Sequence, residues 1–190
     1  HLHGDHCLGI LGLLQTMSLQ KRTESIEIYG PAGIEEFITA NIKVLNFGLP
    51  FPVFITIVNE GNVVNEKDYQ VKCCSAQHGI PAFSYCFEEN ERSGVFYPDK
   101  AKELGIPEGK LWQELQNGNS ILVDGKKIDS SQVTGEKRPG KKIGISGDTR
   151  PTEKLQEFFK NSDYLSFDCT FSFDLKDRAI ETNHSTAKEA

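Results

Sequence analysis

His1-Leu2-His3-Gly4-Asp5-His6 sets four potential metal ligands, three imidazoles and a carboxylate, within six residues. Packing gives no reason for such a concentration, because His and Asp are seldom buried without partners. Imidazole nitrogen and carboxylate oxygen suit zinc best, and ligand type alone leaves manganese and iron open. The glycine separates this stretch from the helical H-E-x-x-H pattern, in which one zinc sits on one helix face. Here Gly4 implies a turn, so that His1 and His3 project together from an extended end while Asp5 and His6 face an adjacent site. Two metals in one cleft are expected, an arrangement that clamps the attacking and leaving oxygens of phosphoryl transfer.

Two metals need more ligands than six residues supply. Downstream candidates are His78 at the end of a strand-like run, Asp148 in Gly147-Asp148-Thr149, and His184 in His184-Ser185-Thr186. Each is weak alone, and their order after strand-like runs raises their joint value.

Around these residues the pattern alternates between strands and helices, which means a layered α/β architecture. Residues 8–19 read as a buried helix, with Gly9 and Gly12 permitting close packing. A strand is expected at 26–29 and a helix over 31–45, where Ile34, Phe37, Ile38 and Leu45 recur at helical spacing. Strands are expected at 53–58, 69–75 and 83–88, with a Glu-Gly-Asn turn at 60–62. A buried strand at 142–146, an amphipathic helix at 152–160 and a strand at 163–168 follow, and the chain reaches Ala190 in what reads as a helix. Residues 89–133 differ: Gly and Pro are frequent, and the apolar clusters at 101–104 and 111–115 look too small for a core of their own. That stretch reads as an inserted flexible arm between 1–88 and 134–190.

Composition narrows the function. No apolar run approaches the roughly 20 residues that cross a bilayer, and no secretory leader is visible, so a cytoplasmic protein is expected. Five cysteines without a C-x-x-C pair (Cys7, Cys73, Cys74, Cys86, Cys169) read as reduced, buried thiols. The net charge of −6 argues against indiscriminate binding to nucleic acid, so any RNA contact is local. Lys137, Arg138, Lys141 and Lys142 form one candidate patch, with a solvated loop as the alternative.

HLHGDH followed by a Leu-Gly-rich helix, the IYGP segment at 28–31, His78, Ser146-Gly147-Asp148-Thr149-Arg150 and His184-Ser185-Thr186 together resemble ribonuclease Z of the metallo-β-lactamase superfamily. The resemblance spans essentially the whole chain. It implies a metallo-β-lactamase-type αββα sandwich, incomplete at both ends, with a protruding arm. It implies a zinc-dependent endoribonuclease that removes the 3′ trailer from precursor tRNA, working as a homodimer. One zinc would be held by His1, His3, His78 and Asp148, the other by Asp5, His6 and the bridging Asp148. Asp5 would also orient the attacking water, and His184 would aid proton transfer at the scissile phosphate. Family members complete the second site with a further His on a C-terminal strand; none follows His184 here, and weak or absent activity is expected of these 190 residues alone.

Two departures from the family pattern stand out. Its His-Glu-Ala-Thr loop, whose Glu orients the HST histidine, is matched by Phe167-Asp168-Cys169-Thr170, which makes Asp168 the substitute with a side chain one methylene shorter. The arm's Gly-x-Pro-x-Gly-Pro is matched by 105–109 followed by Lys110, without the final Pro; Lys100, Lys102, Lys110, Lys126 and Lys127 are its candidate phosphate contacts. Alternatives are another two-metal hydrolase of the superfamily (phosphodiesterase, arylsulfatase-like or thioester hydrolase) and a non-catalytic RNA-binding relic.

Overall fold

The computed structural model describes residues 1–190. In chain order its elements are α1 (Gly4–Cys7), α2 (Gly9–Leu19), β1 (Ile26–Gly30), α3 (Ile34–Val44), β2 (Val53–Ile57), β3 (Gly61–Asn65), β4 (Tyr69–Ser75), β5 (Phe83–Glu89), α4 (Pro98–Glu103), α5 (Lys110–Gln116), β6 (Ile121–Val123), β7 (Lys126–Ile128), β8 (Lys142–Ile145), α6 (Glu153–Phe159), β9 (Tyr164–Ser166) and α7 (Lys176–Glu181). The chain divides into two compact units: residues 1–66, 70–87 and 142–190 form one, residues 67–69 and 88–141 the other.

In the first unit β1 and β2 pair in parallel, and α3 connects them. Ile26 and Ile28 alternate with Glu27 and Tyr29, so one face of β1 packs with Val53 and Ile55 against Leu14, Ile34, Ile38 and Phe51. Helix α2 is less buried than its apolar sequence suggests. Leu11 and Leu14 face inward, whereas Leu8, Leu13 and Leu19 are exposed. A Cβ at Gly9 or Gly12 would meet nothing within 4 Å, so neither glycine serves close packing.

A five-stranded sheet follows, in the order β3-β4-β5-β8-β9. Strand β3 begins at Gly61, within the stretch read as a turn, and pairs antiparallel with β4. Helix α6 links the parallel pair β8 and β9. Thr152 caps it by accepting from the Leu155 amide, Leu155 and Phe159 are buried against Cys74, and the Lys142 ammonium donates to the carbonyls of Phe158 and Lys160 at its other end. Gly144 lies against the Phe159 ring, while Ile143 and Ile145 on the opposite face stay partly exposed instead of buried as expected. These two line a hollow of about 370 Å³ with Val71, Tyr85, Phe87 and Tyr29 of β1. The order of layers is therefore helix, sheet, sheet, helix.

The second unit corrects the reading of 89–133 as a stretch without a core. Ala101, Ile106, Leu115, Ile121, Ile128 and Val133 are all buried together, with Phe96, Leu111 and Trp112 packed around them. Strands β6 and β7 make a hairpin, its turn at Asp124-Gly125 with φ of 49° and 76°. The unit is wider than expected because the incoming and outgoing segments pair at Arg92↔Arg138 and Phe96↔Thr134. Gly94 and Gly140 allow that close approach: a Cβ at either would fall 2.0 Å from a backbone oxygen of the facing segment. Lys137 and Arg138 are turned to their own chain, on Glu91 and the Ser93 carbonyl, as is Lys142 in the first unit.

None of the five cysteines forms a disulfide; four are buried, but Cys169 is exposed. No helix is long and apolar enough to cross a membrane.

Candidate metal centre

The motif at 1–6 is extended through His3, whose backbone (φ −68°, ψ 147°) forms the N-cap of α1, and then turns. Asp5 and His6 consequently ride on the first turn of a helix while His1 and His3 precede it. His78 lies three residues beyond the end of β4, Asp148 three beyond β8 and Asp168 two beyond β9, so the loops that leave these strands at their C-terminal ends converge on the motif. Gly147 holds the left-handed φ of 60° that swings Asp148 out of the line of β8.

Two groups of ligand atoms result. His1, His3, His78 and Asp148 form one; Asp5, His6 and Asp148 form the other, and within each the atoms lie within 4.8 Å of one another. Asp148 Oδ2 stands 3.5 Å from His1 Nε2 and 3.1 Å from His6 Nε2, which places a single carboxylate between the groups. His3 Nδ1 and His78 Nε2 face each other at 3.1 Å. The His78 Nδ1, 3.2 Å from the Asn183 carbonyl, must carry its proton there, which leaves Nε2 bare for a cation.

These contacts test whether a metal fits. The His1 side chain is 3% exposed, and its buried Nε2 has no hydrogen-bond partner. Such an orphan costs about 1–3 kcal/mol unless satisfied, and a cation among the imidazoles and Asp148 satisfies it. The set is His and Asp without Cys, and Asp5 is 78% exposed, which leaves the second group open to solvent. Closed structural zinc sites favour four protein ligands and Cys; open ones of this composition leave a coordination position for water.

Asp148, Asp168 and His184 also lie close together. Asp168 is not free to ligate, because its oxygens already accept from the Thr149 amide, the Thr170 amide and hydroxyl, and His184 Nδ1 at 2.9 Å. Burial pushes its carboxyl up, yet those bonds outweigh burial and hold it below the ordinary carboxylate value. With Nδ1 donating to Asp168, His184 directs Nε2 towards Asp148, 3.9 Å away.

Every site residue expected from the sequence is thus brought into one cluster. The shorter Asp168 reaches His184 at full hydrogen-bond strength. After the HST motif the chain turns, the Glu189 and Ala190 amides bonding the Thr186 carbonyl. The sequence reading quoted Arg150 and Thr170 within motifs but gave them no role, and it missed Asn183 and Glu189; all four are polar residues that hold the cluster. Asn183 left a faint signal, an Asn placed where the backbone turns left-handed at φ 58°.

Residues 1–136 match the family described as "Beta-lactamase superfamily domain". The chain is 62% identical over 190 residues to a protein named ribonuclease Z from Nitrosopumilus maritimus, covering all of this chain and 64% of that one. It is 37% identical over 192 residues to a ribonuclease Z from Brevibacillus brevis, covering all of this chain and 60% of the relative. The chain therefore spans less than two thirds of the length of these relatives. Among solved structures, the short form of human tRNase Z superposes with a TM-score of 0.66 at 24% identity, covering all of this chain and 63% of that one. A metallo-β-lactamase fold protein from Bacillus subtilis superposes with a TM-score of 0.56 at 15% identity, covering all of this chain and 54% of the other. The fold is the metallo-β-lactamase fold.

Proposed function

Because the chain belongs to the beta-lactamase superfamily, its site is to be read as catalytic, and we propose that it forms the central part of a zinc-dependent ribonuclease Z that removes the 3′ trailer from precursor tRNA. The observation that carries the proposal is the shared position of Asp148, between two groups of His and Asp ligands and within reach of His184. Alignment of the whole of this chain with part of each of two proteins named ribonuclease Z supports the substrate.

In this reading His1, His3, His78 and Asp148 would hold one zinc and Asp5, His6 and Asp148 the other. When bound, the two ions supply Lewis acidity to the phosphodiester and bring the pKa of a water towards neutrality. Asp5, the most exposed carboxylate of the set, accepts a hydrogen bond from the attacking water and orients it in line with the scissile bond. His184 presents Nε2 to the leaving 3′ oxygen and transfers a proton to it, yielding a tRNA 3′-hydroxyl and a trailer 5′-phosphate. Asp168 fixes the His184 tautomer and stabilises its imidazolium.

The unit at 88–141 is assigned to grip the tRNA away from the cleavage point. Of its five candidate lysines, Lys102 and Lys127 stand 3.5 and 3.1 Å from Glu108 and Asp129, and Lys100 lies over the Tyr97 ring, so its contacts rest on a minority of its cations. The whole protein is proposed to be a cytoplasmic homodimer.

The test is cleavage of a precursor tRNA by the full-length protein, with added zinc and with a chelator. Chelator-sensitive cleavage after the discriminator base is expected. Hydrolysis of small diesters or thioesters with no action on tRNA would retain the superfamily chemistry and reject the substrate.

A further inference from the structure

His184 is held at its side chain by Asp168 and Thr170, but a side chain can be no better placed than its backbone. The backbone here leaves α7 through Asn183 in the left-handed region. Beyond His184 it is tied to Phe171, whose amide donates to the Ser185 carbonyl at 3.2 Å and whose carbonyl accepts from the Ala187 amide at 3.0 Å. At His184 itself a set of polar contacts adds to that bridge. The His184 amide donates to the Ala179 carbonyl at 2.8 Å, and the His184 carbonyl accepts from Arg150 Nη1 at 2.5 Å. Arg150 also grips Glu189 with both nitrogens, Nη1 to Oε2 at 3.0 Å and Nη2 to Oε1 at 2.5 Å. Glu189 in turn accepts from the Thr186 amide and hydroxyl at 3.1 and 2.9 Å, and Lys176 stands 3.8 Å from its other oxygen. The side chains of Arg150 and Glu189 are only 12% and 15% exposed.

Arg150 comes from the same loop as Asp148, two residues on, so that loop supplies both the carboxylate shared by the ligand groups and the guanidinium that fixes the His184 backbone. On the other side of the turn, the Asn183 carbonyl orients His78. We infer that Arg150 and Glu189 are positioning residues that set where His184 stands relative to Asp148 and the scissile bond; the inference rests on the reading of His184 as proton donor. Three contacts spread over two nitrogens need a guanidinium. A lysine carries a single point of donation and cannot hold a carbonyl and both oxygens of a carboxylate together. A displacement of about 1 Å in a proton donor lowers the rate by about 100-fold.

The test uses the full-length zinc-loaded protein and its Arg150→Lys and Glu189→Gln variants. Glu189→Gln keeps the turn filled while weakening the grip on Arg150. The ¹⁵N imidazole signals of His184, identified by their loss in His184→Ala, report its tautomer without any turnover. In the parent the Nδ1 that faces Asp168 is expected to carry a proton throughout, and in Arg150→Lys only part of the time. Cleavage of precursor tRNA is expected to fall by about 100-fold in kcat with KM changed less than about 3-fold. Hydrolysis of bis(p-nitrophenyl) phosphate, whose leaving group departs without a proton, should lose at least about ten times less. In a His184→Ala background, Arg150→Lys should have no further effect. Unchanged His184 signals in Arg150→Lys, equal losses on both substrates, or additive losses in the double variant each overturn the inference. If the parent protein ignores tRNA, the proposed substrate fails, and the imidazole signals still decide whether Arg150 positions His184.

Discussion

Asp168 Oδ2 lies 2.9 Å from His184 Nδ1, and the Asp168 side chain is 1% exposed. The contact fixes which imidazole nitrogen looks into the site, and it is embedded in further bonds from Thr149 and Thr170 that make Asp168 a structural hub as well. The two roles can be separated by substitution.

In Asp168→Ala the buried amide of Thr149 and the part-buried amide of Thr170 lose their acceptor, and unfolding in urea should show a loss of about 3 kcal/mol. Asp168→Asn keeps one acceptor oxygen and the side-chain volume, so its stability should fall less. Its cleavage rate should still drop steeply, because an amide gives the imidazolium no countercharge. An Asn variant as active as the parent would show that the carboxylate charge has no part in proton transfer.

The sharing of Asp148 between two ligand groups predicts an asymmetry in metal content, measured on the purified full-length protein. With the proposed ligand sets, Asp148→Ala should lose bound metal at both positions. Asp5→Ala should keep an ion at the group of His1, His3, His78 and Asp148 and lose only the other. Two ions retained in Asp148→Ala would remove the carboxylate from its shared place.

Gly94 meets the Gly135 carbonyl so closely that an added Cβ would sit 2.0 Å from its oxygen. A backbone atom cannot rotate away, so Gly94→Ala should pry apart the paired segments at the base of the 88–141 unit. Cleavage of precursor tRNA is expected to fall at least about tenfold while hydrolysis of a small aryl phosphodiester persists. Parallel loss of both activities would assign this unit to the site itself and not to tRNA.

The parts of this protein that could be read from its sequence share a cause. The 3.6-residue spacing of Ile34 and Ile38 reports local burial and the β-branched run read at 53–58 reports strand propensity, so α3 and β2 fall close to where expected. The candidate ligands at 1–6 stand out in the sequence because packing gives little reason for four metal-binding side chains within six residues, whereas His78, Asp148 and His184 gain weight only from their order after strands. What could not be read is what depends on partners distant in sequence. Leu13 and Ile145 are as apolar as Leu14, yet which of them is covered is decided by which element packs above. The core of the 88–141 unit gathers Ala101, Leu115, Ile121 and Val133 from four short segments, none of which carries enough apolar residues to announce it. Arg150 and Glu189 are 39 residues apart and look like ordinary surface charges until the turn at 183–186 brings them together.

That ion pair also predicts a pH dependence. The bond from Arg150 is the main cause holding the Glu189 carboxyl at about 2, against an ordinary value of 4.5, with burial opposing it and Thr186 adding to it. Folding therefore favours the carboxylate, since the unfolded chain binds the proton more tightly than the folded one. The stabilisation is fully present above pH 4.5 and is lost as the pH falls towards about 2. Comparing the parent with Glu189→Gln cancels the titration of the histidines, which both proteins share. The stability difference between them, from urea unfolding at a series of pH values, should be constant from pH 7 to about 5 and shrink steadily below 4.5. A difference that stays level down to pH 3.5 would mean that Glu189 is held by its shape and not by its charge, and the clasp on the His184 backbone would then have to be carried by Arg150 alone.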